Sequence, residues 1–278
     1  MWSFINSCVS GTLPKISDIV FSADDFGLTE SVNEAVEQAH RDGVLTQASL
    51  MVAGSAAADA VTRARRLPGL RVGLHLVLVE GASVLGHAAL PDITEPDGRF
   101  GRDQAKLGVR YFFSPAARRQ LAAEIRAQFM AFRATGLALH HVDAHKHMHL
   151  HPTVAGLLIE IGREFGLTRV RVPREPPPVL VACGHRPRWG DYALYRWSGV
   201  LRGQVRRAGL ACDEQVFGIA WSGQMTEARV RRLLARLPPG RSEIYFHPAT
   251  ESDKVLRALM PDYQHRAEFE ALLGLKNQ

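Results

Sequence analysis

Two places in the chain concentrate side chains suited to hydrolytic chemistry. Asp24 and Asp25 follow the apolar run Ile19-Val20-Phe21 and precede Phe26-Gly27. The stretch His140 to His151 reads His-His-Val-Asp-Ala-His-Lys-His-Met-His-Leu-His and holds half of the 12 histidines in the chain. Imidazole suits zinc and other first-row metals, and such a site needs a carboxylate from elsewhere while a position stays open for water. The aspartate pair offers that carboxylate. Neighbours on an extended backbone point opposite ways, so one acid is free to bind metal while the other acts as a base. By the same alternation, an extended backbone puts His145, His147, His149 and His151 on one face with Asp143. Each feature also has a bland reading. The aspartates can cap the next helix, although Thr29 or Ser31 can already do so, and the histidines can be a solvated or core-packed loop.

Two further histidines sit at strand-like positions. His75 interrupts Val72-Gly73-Leu74-His75-Leu76-Val77, a run otherwise apolar enough for a fully buried strand. A lone histidine there is more often hydrogen-bonded core than ligand, but a second strand-borne His is what an Asp/His/His site lacks. His247 ends Ile244-Tyr245-Phe246 and precedes Pro248.

The elements that must position these groups alternate in type. Strands are predicted at Ile19 to Ala23, Ala48 to Val52, Val72 to Val77, His140 to Ala144, Arg169 to Val172, Val216 to Trp221 and Glu243 to Phe246. Helical spacing separates them at Ser31 to His40, Ala116 to Phe132 and Thr153 to Phe165, the last entered through Pro152 and left at Gly166. Strand–helix alternation argues for an α/β fold, here a single irregular parallel (β/α) barrel of seven strands spanning residues 1–278. In a barrel, catalytic groups collect at the C-terminal strand ends, where Asp24, Asp25 and His247 fall. Residues 1–16 are expected to be a poorly ordered extension, and 81–114, punctuated by Gly, Pro and Asp, a long loop or lid.

The 278 residues are 46% hydrophobic and 22% charged, enough to bury a large core and unlike a disordered chain. Lys and Arg exceed Asp and Glu by 34 to 28, a net charge of +6 that favours anionic partners in general and names none. Cys8, Cys183 and Cys212 lack the paired spacing of a zinc knuckle or redox motif, so a reduced cytoplasmic setting is the default. Met1 to Ile19 does not read as a signal peptide, and no uninterrupted apolar run is long enough to span a membrane.

Ser22-Ala-Asp-Asp-Phe-Gly27, Val72-Gly-Leu-His-Leu76, the run Asp143-x-His-x-His-x-His149 and Phe246-His-Pro248 together resemble the YdjC-like carbohydrate deacetylases, in order and spacing over nearly the whole chain. The segments Ala144 to Thr153, Arg171-Val-Pro173 and Gln215 to Ser222 resemble more closely the hopanoid-biosynthesis-associated branch, HpnK. The resemblance implies an irregular parallel barrel related to the NodB-type deacetylases, and metal-dependent removal of an N-acetyl group from an amino sugar. For the branch it implies an N-acetylglucosaminyl hopanoid glycolipid as substrate, with N-acetylated sugar oligomers as the alternative. By position, Asp24 matches the catalytic base, Asp25, His75 and His145 the ligands of one divalent ion, zinc or magnesium, and His247 the general acid. His141, His145 and His149 form overlapping His-x-x-x-His pairs, the NodB-type pattern, so the register of the third ligand stays open.

A lipid substrate directs attention to Arg186–Arg207, where Trp189, Tyr192, Tyr195 and Trp197 lie among six arginines and one acid, Asp191. Aromatics flanked by Arg suit peripheral contact at the inner membrane face. The same residues also fit an amphipathic helix with Leu194, Trp197, Leu201 and Val205 in the core. Another metal-dependent amidohydrolase is disfavoured because it wants His-x-His at the first strand end. Nucleic-acid binding is not expected: it accounts for the charge but leaves the Asp pair and His cluster unexplained, and no recognition module is visible.

Overall fold

The computed structural model describes residues 18–276, so the expected N-terminal extension at 1–16 lies outside the described residues. Six strands form one parallel sheet, β1 (Ile19–Phe26), β2 (Gln47–Leu50), β3 (Arg71–Leu76), β4 (Val142–Ala144), β5 (Gln215–Phe217) and β6 (Ser242–Phe246), in the order β4-β3-β2-β1-β6-β5. All five pairings are parallel, so every C-terminal strand end lies on the same edge. The strands are buried nearly throughout, which is why they read as apolar runs rather than as alternating ones.

The sheet curls into a half-barrel. The strand expected at Arg169–Val172 forms only isolated bridges among the described residues, Val142 with Val170 and Arg169 with Ala211. Arg171 N donates to Val142 O at 3.0 Å and Val216 N to Arg174 O at 3.2 Å, so this segment lies between β4 and β5 without becoming a ladder. Pro173, with no N–H to donate, interrupts pairing there.

Ten helices are described: α1 (Glu30–Asp42), α2 (Ala57–Arg65), α3 (Gln104–Phe113), α4 (Pro115–Ala134), α5 (Pro152–Glu164), α6 (Pro177–Ala182), α7 (Trp189–Arg207), α8 (Glu227–Leu234), α9 (Lys254–Leu259) and α10 (His265–Gly274). In α1 it is Thr29, not an aspartate, that caps, accepting from Val32 N. The Asp pair is thereby free of the capping role. Ser114 caps α4, Pro115 occupies its first turn, and Leu121, Ile125, Phe129 and Phe132 bury one face in the core. Truncating Phe129 or Phe132 to Ala costs about 3–5 kcal/mol by loss of burial and creation of a cavity.

The segment expected as a long loop divides in two. Residues 81–103 are irregular, tied down by Glu124 on α4, which accepts from Val84 N and Leu85 N at 2.8 and 3.1 Å. Residues 104–113 form α3. In α7 the buried positions are Ser198, Leu201 and Val205, whereas Trp197 is 48% exposed and Trp189 85%. Trp197 is therefore not the core residue the amphipathic reading made it. Among the described residues no helix is long and apolar enough to cross a membrane.

Candidate metal centre and catalytic cavity

The site assembles where β1, β3, β4 and β6 end. The pairing of β1 with β2 shifts register between Ala23 and Phe26, and Asp25 adopts φ 62°, a left-handed conformation unusual for a non-glycine residue. Gly27 follows with φ +95° and packs 3.0 Å from Met51 O at the place a Cβ would occupy, so only glycine closes this turn. The bulge changes the expected geometry. Instead of pointing to opposite faces, both aspartates come within reach of His75, in the groups Asp25–His75–His145 and Asp24–His75–Asp143.

His75 is set by its cross-strand neighbour. His75 pairs in register with Asp143, and its Nδ1 lies 2.8 Å from Asp143 Oδ1 while Nε2 faces Asp25 Oδ1 at 3.4 Å. Asp143 thus fixes the tautomer that aims Nε2 at the site. His145 Nδ1 lies 3.1 Å from the same Asp25 oxygen, and the two imidazole rings are 5.7 Å apart. Asp25, His75 and His145 are each buried, with ligand atoms within 4.8 Å of one another.

These residues fit a metal ion. Asp25 Oδ2 is buried without a hydrogen-bond partner, and two imidazoles with a carboxylate form a donor set that leaves positions open. The second group fits poorly, because Asp143 is already engaged by Arg171 Nη1 at 2.5 Å and by Ser49 Oγ at 2.8 Å. Burial opposes charge on Asp25, but His145 and His75 outweigh it and hold the carboxyl well below its usual range. Burial also opposes charge on His75, yet Asp143 raises it to about 10, so metal entry there displaces a proton.

Asp24 has a different environment. Arg171, itself fully buried, donates to Asp24 Oδ2 at 2.7 Å and Ser22 Oγ at 2.9 Å, and reaches Glu243 at 2.7 Å. Asp24 Oδ1 remains buried and unpartnered. Burial pushes Asp24 up to about 6 against the pull of Arg171. Asp24 lines a cavity of about 150 Å³ with His75, His145, His147, Tyr245 and His247. Tyr263 and Ser222 close one side, joined by a 2.7 Å hydroxyl contact. Ile219 and Ser222 are carried on a loop whose backbone N–H groups at Gly218, Ile219 and Ala220 all donate to buried Glu175, at 2.6, 2.8 and 2.9 Å.

His247 stands in the cavity with Nδ1 buried and unpartnered, 3.9 Å from Glu268 Oε2. Burial holds it down to about 3 although Asp25 pulls the other way, so the ring is neutral at rest.

The His-rich run differs most from its expected form. Residues His145–Leu150 form a 3₁₀ turn in which Lys146 and His147 have φ 49° and 53°, so the alternate histidines do not share a face. His145 meets Asp25, His147 Nε2 contacts Tyr245 Oη at 2.9 Å, His149 Nε2 contacts Arg171 O at 3.0 Å, and His151 packs against Phe112. Asp143 pairs with His75 and Arg171 rather than with His147, His149 or His151. His141 contacts Ser49 Oγ at 3.0 Å. Of the three overlapping histidines, His145 is the one grouped with Asp25 and His75.

Sequence reasoning missed Arg171 and Tyr245 as parts of the site. The signal for Arg171 was present, an arginine between Val170 and Val172 in an apolar run. Tyr245 carried none, since an aromatic in a strand is ordinary core.

A family model described as YdjC-like protein matches residues 18–277. The chain belongs to the YdjC-like family. A carbohydrate deacetylase of Brevibacillus brevis is 38% identical over 159 residues, 57% of this chain and 59% of that protein. One from Vibrio cholerae is 37% identical over 149 residues, 53% of this chain and 56% of that one. These alignments thus span little more than half the length of the curated relatives. A solved structure from Enterococcus faecalis V583, described as a candidate cellobiose-phosphate cleavage protein, superposes with a TM-score of 0.71 at 20% identity over 93% of this chain and 92% of its own. That likeness bears on the fold, and places this member of the family on the same curled α/β scaffold.

Proposed function

We propose that this protein is a metal-dependent N-deacetylase that hydrolyses the acetamido group of an N-acetylglucosaminyl glycolipid of the hopanoid type. The observation that carries the reading is the convergence of Asp25, His75 and His145, the two histidines lining a cavity whose wall also includes Asp24, with a separate, unpartnered carboxylate oxygen. The deacetylase names of the relatives support the reaction, and the resemblance of Ala144–Thr153 and Gln215–Ser222 to the hopanoid-associated branch supports the lipid.

Asp25, His75 and His145 would hold the divalent ion, zinc or magnesium. When bound, the ion supplies Lewis-acid polarisation of the acetyl oxygen and lowers the pKa of water. Asp24 takes a proton from the attacking water, its carboxylate held in place by Arg171. His147, whose Nε2 contacts Tyr245, lines the cavity that the acetamido group would enter. The leaving amine needs one proton, and the water supplies it: Asp24 accepts it and His247, neutral at rest, relays it to nitrogen as the C–N bond breaks. The products are acetate and the free amino sugar.

Trp189 and Tyr192, exposed on α7, support peripheral membrane contact in the delivery of such a substrate. The test is acetate release from an N-acetylglucosaminyl lipid and from a short N-acetylglucosamine oligomer, with and without chelator. Chelator-sensitive release from the lipid is expected. Release from the oligomer alone keeps the chemistry and discards the lipid, and release from neither overturns the reading.

A further inference from the structure

The catalytic cavity, at about 150 Å³, has the volume of roughly five waters, enough for an acetamido group and the attacking water but not for a whole sugar with its substituent. Beside it lies a larger groove of about 610 Å³, within the ~300–1,000 Å³ range of small-molecule sites. The two spaces share Lys146 and His147. Those two residues are the left-handed pair in the 3₁₀ turn, so the strained backbone is the partition between cavity and groove.

The groove changes character along its length. At the shared end it is polar: Lys146 is ion-paired with Glu80, and Gln104 Nε2 donates to Lys146 O at 2.8 Å, tying α3 to the turn. Away from the cavity the walls are Val109, Phe112 and Phe113 of α3 and Leu194 and Trp197 of α7. Val109 is 60% exposed and Phe113 73%, an arrangement with no stabilising role in the fold. Trp197 is oriented rather than loose, because its Nε1 donates to Leu150 O at 2.9 Å and so turns the ring along the groove wall.

We infer that the α3–α7 groove is the aglycone subsite, holding the apolar group attached to the sugar whose N-acetyl end enters the cavity. The inference rests on the deacetylase reading for the identity of the sugar end. It adds where the apolar end goes and which side chains select it. The occupant follows from continuity: whatever reaches the cavity past Lys146 and His147 has the apolar walls as its nearest large space. A substrate without an apolar substituent leaves those walls in water, while one that carries it gains their burial.

The test compares methyl and octyl N-acetylglucosaminides, below the micellar concentration of the octyl compound. Binding is read by calorimetry and turnover by acetate release, on wild type, Val109→Glu and the control Val181→Glu, an exposed residue of α6 that does not line the groove. The octyl compound is expected to bind wild type at least about tenfold more tightly than the methyl one. Val109→Glu should remove that difference, whereas Val181→Glu should leave both it and acetate release from the methyl compound intact. Equal binding of the two compounds to wild type, or a difference that survives Val109→Glu, overturns the subsite. Retention on anionic vesicles that Val109→Glu abolishes, with no chain-length effect in solution, overturns it in favour of a membrane-contact face. Chain-length-dependent binding lost in Val109→Glu, with no acetate released from either compound, keeps an apolar-ligand site and overturns the deacetylase reading.

Discussion

The cavity lined by Asp24, His75 and His145 and the apolar groove meet at two residues and are built by opposite means. The cavity hangs from strand ends, and its charged groups are buried and mutually paired: Arg171 alone contacts Asp24, Asp143, Glu243 and Ser22. The groove is formed by α3 and α7, helices outside the sheet, and its apolar side chains are left facing water. Buried charge is costly to break, whereas an exposed apolar wall is cheap to change. The difference separates two properties. In the proposed reading, chemistry is held by the part of the molecule that cannot vary without loss of the fold, and substrate choice by the part that can.

The sharpest way to break this contrast is to remove the ligands. Asp25→Asn and His75→Ala should each lose metal, read by elemental analysis, and lower acetate release by roughly a thousandfold or more. Retained metal and turnover in either variant would detach the chemistry from the strand ends. Next in size is Arg171→Met, which leaves three buried carboxylates without their cation and should destabilise the fold by about 3–5 kcal/mol in thermal or urea unfolding. Unchanged stability would mean the charged layer is not the framework described here.

The aspartate pair, the lone strand histidine and the parallel strand pattern were all legible in the sequence, because parallel strands buried on both faces leave a strong apolar signal and a polar residue within one stands out. Their mutual arrangement was less legible. Asp25 and Asp24 were expected on opposite faces, and a bulge with a left-handed Asp25 turned both toward His75; no alternation rule reports a bulge in advance. The histidine run failed for a related reason. Period-two reasoning assumes extended backbone, and the left-handed Lys146 and His147 wind it into a turn that sends each histidine to a different neighbour. The groove left no trace, since Val109, Phe112 and Phe113 fall in the 81–114 segment expected as a loop or lid, and only the folded chain winds them into α3 and leaves them uncovered.

Smaller effects refine the comparison. Asp143→Asn keeps the fold's shape but weakens the fixing of the His75 tautomer, and should lower metal affinity by about 10–100-fold, measured by competition with a chromogenic chelator. No change would assign Asp143 to Arg171 alone. At the groove, Val109→Ser should move unfolding stability by no more than about 0.5 kcal/mol, since the residue is 60% exposed. A large loss there would show that α3 belongs to the structural core.

The central claim is that Asp24 and the Asp25–His75–His145 group act together in one hydrolysis. The most direct measurement is acetate release from methyl N-acetylglucosaminide by wild type and Asp24→Asn, each with metal content determined on the same sample and each repeated with chelator. The account predicts chelator-sensitive release by wild type, and by Asp24→Asn full metal content with turnover reduced by about 10²–10⁴-fold. Full turnover in Asp24→Asn, or release indifferent to chelator in wild type, would contradict it.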